Sequence, residues 1–264
     1  AFLVGGAVRD LILGKEISDY DIATNAKPED VIRIFHKVIP TGIAHGTVTI
    51  LFMGQSIEAT TYRIEKDYTD GRHPDKVEYA SKIEEDLSRR DFTMNAIAAS
   101  LADGSIVDPF GGQIDIQQKI IRTVGNPLER FSEDGLRPVR ALRFAAQLGF
   151  EIEPETLKAI PVTNHITKGI SIERFRDEFV KMLKSPKPSV ALNLMEKTGI
   201  LEMFLPELFE CRNVIQRDIR GFHVSGSEGR DPVEDFDAIC AELEHYSVDL
   251  SNRPMIVAAN KCDL

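Results

Sequence analysis

The feature that most constrains this chain is a pair of carboxylates one residue apart, Asp19-Tyr20-Asp21, in a stretch that reads as a strand. Side chains two apart on a strand point to the same side, so both acids share one face. Such close like charges repel unless a cation lies between them. Mg²⁺ suits the position, because it is hard, seeks oxygen and is usually shared between carboxylates and substrate phosphates. Standing alone, Asp-x-Asp is also what a solvated loop with an Asx turn looks like. Ahead of it, Phe2-Leu3-Val4 runs as an apolar strand into Gly5-Gly6, then into a helical pattern (Val8, Leu11, Ile12) stopped by Gly14. Two glycines let a backbone approach a ligand, and a helix start offers free N–H groups to an anion. A plain tight turn reads the same way.

Downstream, Thr47 to Phe52 alternates with Val48, Ile50 and Phe52 on one face, Met53-Gly54-Gln55 turns, and Ser56 to Arg63 alternates again. Glu58 falls on one face of this second strand with Thr60 and Tyr62. Beside an Asp-x-Asp strand it would complete a two-metal site; otherwise it is an exposed acid on an open sheet. Arg89-Arg90-Asp91-Phe92-Thr93-Met94-Asn95-Ala96 reads as a helix with Asp91 and Asn95 four apart on one face. The paired arginines suit phosphate oxygens. From Ser132 to Phe144, Asp134, Arg137 and Arg140 follow three-residue steps, while Ala141, Phe144, Ala145 and Leu148 form a core stripe. Pro138 interrupts this pattern, so the regular helix is expected to begin near it, with Asp134 to Arg137 in the turn before.

Gly5-Gly6-x-x-Arg9-Asp10 followed by Asp19-x-Asp21 resembles the first motif of class II CCA-adding enzymes and bacterial poly(A) polymerases, members of the DNA polymerase beta-like nucleotidyltransferases. Arg89 to Ala96 is similar to the second motif of that family, and Ser132 to Phe144 to its base-selecting motif. The resemblance implies that Asp19 and Asp21 hold the metals and Glu58 is the third catalytic carboxylate. It implies that Gly5, Gly6 and Arg9 handle the triphosphate, and that Arg90, Asp91 and Asn95 contact triphosphate and ribose. Asp134 and Arg137, with Arg140 alongside, would read the base. The implied reaction is template-independent addition of C and A from CTP and ATP to the 3′ end of tRNA or another RNA, with two Mg²⁺. Poly(A) synthesis by the same family is the alternative. Asp67 to Asp75 resembles the mobile loop that CCA- and A-adding members keep. Residues 172–208 resemble the last neck motif and start of the body, where Arg174, Arg176, Lys181 and Lys184 read either as RNA contacts or as solvated helix charges.

The expected organisation is an α/β nucleotidyltransferase head with a small mixed or antiparallel sheet over 1–125, and an all-α neck and start of body over 126–224. A short αβ fragment over 225–264 follows. That last segment resembles part of an Obg-type GTPase. Asn260-Lys261-Cys262-Asp263 is similar to the guanine-reading motif, with Asn260 and Asp263 as the binding pair. Yet no G-x-x-x-x-G-K-[ST] phosphate loop occurs in the chain. A guanine-nucleotide-binding module is the rival reading from another class.

Charge does not decide between them. The net charge of −10 is unusual for an RNA-binding protein. Nine Asp/Glu against three Lys/Arg after residue 224 account for −6 of it. Three cysteines without CxxC pairing argue against a disulfide scaffold or zinc site and suit a reducing cytosol, hence a cytoplasmic expectation. No apolar run is long enough to span a bilayer. The first residues lie directly in an apolar strand without a methionine, which reads as a missing N-terminus.

Overall fold

A computed structural model describes residues 1–17, 19–66, 76–210, 215–218 and 221–224. The loop at 67–75 and the segment 225–264, with its GTPase-like motif, lie outside the described residues.

The head is built on a seven-stranded mixed sheet. Its strands are β1 (Phe2–Val4), β2 (Tyr20–Thr24), β3 (Val38–Gly42), β4 (Thr47–Phe52) and β5 (Gln55–Thr61). A side hairpin, β6 (Arg63–Lys66) and β7 (Lys76–Tyr79), is followed by β8 (Ala98–Ser100) and β9 (Ile106–Val107). The sheet order is β3-β4-β5-β2-β1-β8-β9. Only β2 and β5 run parallel; every other neighbouring pair is antiparallel. The β4–β5 turn is two residues, Met53 and Gly54, both at positive φ, the conformation whose twist matches a tight hairpin. Gln55, expected in the turn, pairs with Phe52 instead.

Helix α1 (Gly6–Ile12) follows β1, α2 (Pro28–Ile34) follows β2, and α3 (Ile83–Ser88) and α4 (Gly112–Gln118) complete the head. The remainder is mainly helical: α5 (Pro127–Glu133), α6 (Leu136–Leu148), α7 (Pro154–Val162), α8 (Asn164–Thr167), α9 (Ile172–Leu183), α10 (Pro188–Thr198), α11 (Ile200–Phe204) and α12 (Pro206–Glu210). Two short strand pairs interrupt it, β10 (Ile120–Ile121) with β11 (Glu151–Ile152), and β12 (Ile215–Asp218) with β13 (Gly221–Val224). One apolar core runs from Leu3, Ala7 and Val8 through Phe92 and Phe144 to Phe175 and Met195, so head and helices share buried surface. Among the described residues no helix is long and apolar enough to cross a membrane.

Two expected local structures differ. Arg90 to Ala96 is not an α-helix. Phe92 is extended and bridges Thr123, and only Thr93–Asn95 turn, as a 3₁₀ segment. A fully buried Phe92, docked edge-on to Phe144, overrides the helical spacing. Helix α6 also begins at Leu136, not at Pro138. Proline sits in the first turn, where the N–H it lacks has no intrahelical partner, so it costs nothing there.

Candidate active site

The parallel pairing of β2 with β5 sets Asp21 directly opposite Glu58. Sheet periodicity then puts both side chains on the face that carries Ala23. Asp19 stands one residue before β2 and is exposed, yet it lines the same cavity as Asp21. Burial raises the Asp21 pKa, and Glu58 and Asp19 push it further up against the opposing pull of Arg90. A raised carboxylate pKa among like charges marks a place where a cation would relieve repulsion. Among the described residues no three acid, His or Cys side chains close into a complete metal cage. Asp19 and Asp21 both line the cavity, and two carboxylates fit a hard cation that keeps water and substrate oxygens as further ligands.

The cavity holds about 440 Å³, and its lining includes Gly5, Asp19, Asp21, Gln147 and Lys181. Four arginines, Arg9, Arg90, Arg140 and Arg143, line it as well. Arg9 Nη1 donates to Asn95 Oδ1 at 2.9 Å, Asn95 Nδ2 donates to Asp91 Oδ1 at 3.2 Å, and Arg140 Nε donates to Asp91 Oδ2 at 2.8 Å. Although the helix expected at 89–96 does not form, the 3₁₀ turn still brings Asp91 and Asn95 together. Phe144 lies beneath the cations, its ring centroid 5.3 Å from Arg9 Cζ, 5.4 Å from Arg140 Cζ and 3.9 Å from Arg143 Cζ.

Asp134 and Arg137 do not line this cavity. Both Asp134 oxygens accept from Arg174 Nη2, at 3.0 and 2.9 Å. Arg137 donates to Glu133 and to the backbone oxygens of Arg130 (3.0 Å) and Arg89 (3.2 Å). Of the three-residue series, only Arg140 reaches the cavity. Arg143, missed in the sequence reading, continues that series by one more step and does line it. Lys181, from α9, also lines the cavity, and Glu178 of the same helix holds Arg143. Arg174, Arg176 and Lys181 each pair with an acid, Asp134, Asp177 and Glu178 respectively.

The buried Asp91 makes the ion network pH-sensitive. Burial alone would raise its pKa, but Arg140, Asn95 and Arg137 outweigh this and hold it at about 2, against an ordinary 3.8. A depressed carboxylate contributes stability that is present above its unfolded pKa and lost as pH falls through the folded one, here about 2 kcal/mol. Asp91→Asn should therefore unfold at lower urea than the parent at pH 6. The gap should narrow between pH 4 and pH 2. A gap that stays constant with pH would show that the charge on Asp91 is not what stabilises the fold.

Two family models match the chain: Poly A polymerase head domain over residues 1–122, and Probable RNA and SrmB- binding site of polymerase A over residues 149–211. A CCA-adding enzyme of Geobacillus sp. (strain WCH70) is 49% identical over 220 residues, 83% of this chain and 54% of the relative. One from Lactobacillus johnsonii is 50% identical over 202 residues, 76% of this chain and 50% of the relative. The crystal structure of the Bacillus stearothermophilus CCA-adding enzyme in complex with CTP superimposes with a TM-score of 0.70 at 48% identity, covering 75% of this chain and 48% of that one. The Thermotoga maritima CCA-adding enzyme complexed with tRNA_CCA gives 0.65 at 27% identity, covering 78% and 48%. The chain thus spans about half the length of the curated relatives it matches. Over the region they share, it belongs to the family of CCA-adding enzymes and bacterial poly(A) polymerases.

Proposed function

We propose that this chain carries the catalytic half of a CCA-adding tRNA nucleotidyltransferase working in the cytoplasm. In this reading an RNA 3′-hydroxyl attacks the α-phosphate of CTP or ATP and pyrophosphate leaves. The observation that carries it is one cavity lined both by the carboxylates Asp19 and Asp21 and by four arginines, Arg9, Arg90, Arg140 and Arg143. Asp19 and Asp21 would hold Mg²⁺, with Glu58 as the third carboxylate. When bound, Mg²⁺ supplies charge neutralisation at the reacting phosphate and acidifies the attacking hydroxyl.

Arg9 and Arg90 would take the triphosphate, with Gly5 and Gly6 allowing its close approach. Asp91 and Asn95 would serve the ribose side, with Arg140 fixed by Asp91. Asp134 and Arg137 are the proposed base readers. Their present partners, Arg174 and Glu133, would have to yield before either could meet a base.

Gly5 ties the backbone to this site. It sits at φ +70, and a Cβ there would lie 2.9 Å from Arg90 Nη1 and 3.5 Å from Asp21 Oδ2. Gly5→Ala should cost about 1–2 kcal/mol of stability through backbone strain. It should also weaken CTP binding by displacing Arg90. A variant that melts like the parent and binds CTP equally would remove Gly5 from the site.

Incorporation of labelled CTP and, separately, ATP into trimmed tRNA and into an oligo(A) primer tests the reaction. Addition of C and A to tRNA supports CCA synthesis. Addition of A alone to either primer supports the poly(A) alternative. Absence of incorporation with Mg²⁺ means that this chain is not an active transferase by itself.

A further inference from the structure

One buried acid beside the cavity has no part in the proposed chemistry. Asp86, on α3, is 1% exposed. Its Oδ1 accepts from Arg89 Nε at 3.0 Å, from Arg89 Nη2 at 2.8 Å and from the Arg63 backbone N–H at 3.4 Å. Its Oδ2 accepts from Arg90 Nη2 at 3.2 Å. Arg90 lines the cavity and Arg89 does not. The guanidinium of Arg90 reaches over Gly5, near the Asp21 carboxylate. Two acids therefore compete for one cation, Asp86 from beneath and Asp21 from within the site. An Arg90 drawn fully onto Asp21 would occupy the carboxylate that a metal needs and withdraw a donor from the phosphates.

We infer that Asp86 is a positioning residue that holds Arg90 on the phosphate side of the cavity and off Asp21. Its geometry suits the task. The side chain sits in the last turn of a helix, its Oδ1 is anchored by Arg89, and burial strengthens the pull of Oδ2 on Arg90 by excluding water. The pKa of Asp86 is lowered despite its burial, because Arg89 and Arg90 outweigh desolvation, so it is charged at neutral pH.

The inference rests on the proposed function, and the parent chain separates the two. If the parent binds no CTP in the presence of Mg²⁺, the functional reading fails first. With binding established, Asp86→Asn should weaken CTP about tenfold, the worth of one charge-assisted hydrogen bond, and raise the Mg²⁺ concentration needed for half-saturation. In an Arg90→Gln background the same substitution should change CTP affinity less than about threefold, because coupling through Arg90 is gone.

A purely structural Asp86 would lower thermal stability but leave the Mg²⁺ requirement unmoved. Equal losses of CTP affinity in both backgrounds, or an unchanged Mg²⁺ requirement, would overturn the inference. If Arg90→Gln abolishes measurable binding, the Mg²⁺ requirement of Asp86→Asn alone decides. If Asp86→Asn does not fold, Asp86→Glu, which keeps the charge but moves it by a methylene, is read in the same way. Failure of both to fold would make Asp86 a stability residue only.

Discussion

Asp21→Ala is expected to lower CMP incorporation about 10³-fold or more while leaving the fold as stable as the parent's or slightly more so. The activity loss follows from removing a metal-side carboxylate worth several kcal/mol at the transition state, at about 1.4 kcal/mol per tenfold. The stability gain follows from the raised pKa of Asp21, which burial, Glu58 and Asp19 together produce. A charge the fold disfavours destabilises it above that pKa, so deleting the charge relieves the cost. Thermal melts beside the incorporation assay check both halves. Incorporation within tenfold of the parent, or a marked drop in stability, would contradict this role. The same shift predicts that at limiting Mg²⁺, activity falls on acidification from above the ordinary Asp range. Saturating Mg²⁺ should push that fall to lower pH.

The second large effect centres on Arg143, which lines the same cavity. Glu178, on α9 and 3% exposed, accepts from Arg143 Nε on α6 at 2.5 Å and from Lys181 Nζ at 3.0 Å. Arg143 is itself buried against the Phe144 ring. Glu178→Gln keeps the shape and removes the charge, leaving a buried guanidinium whose other side-chain hydrogen bond is to Gln147. Loss of one partner of a buried pair costs about 3 kcal/mol. Because Arg143 lines the cavity, CTP binding should weaken as well. Burial would raise the Glu178 pKa, but Arg143, Arg140 and Lys181 bring it below the ordinary value. Its contribution is therefore present above the ordinary glutamate range and lost as pH falls below it. Urea unfolding should show parent and variant converging in acid. A loss below about 1 kcal/mol at pH 7 would mean that the pair is incidental.

The head was legible where chemistry and local periodicity coincide. Strand alternation and the β2–β5 register set Asp21 beside Glu58, whereas Asp19 stands just before β2 and Glu58 is not among the residues that line the cavity. Arg9 and Arg90 reach the cavity from the two motifs that suggested them. Legibility failed where burial overrode spacing. Phe92 bridges Thr123 rather than continuing a helix, because its ring is fully buried against Phe144. Asp134 and Arg137 looked as available as Arg140, yet Arg174 and Glu133 engage them from elsewhere in the fold. Asp86 and Glu178 carried no motif meaning in the sequence. Their importance lies in which arginine each one holds, and only the packed structure reveals that.

In the proposed function one cavity binds a nucleoside triphosphate with its phosphates on the cavity arginines and a divalent cation on Asp21. A co-crystal with CTP and Mn²⁺, read by anomalous scattering from the metal, tests it most directly. An anomalous peak is expected at the Asp19 and Asp21 carboxylates, with a triphosphate alongside Arg90. A metal or triphosphate bound elsewhere, or a cavity left empty at saturating CTP, would contradict it.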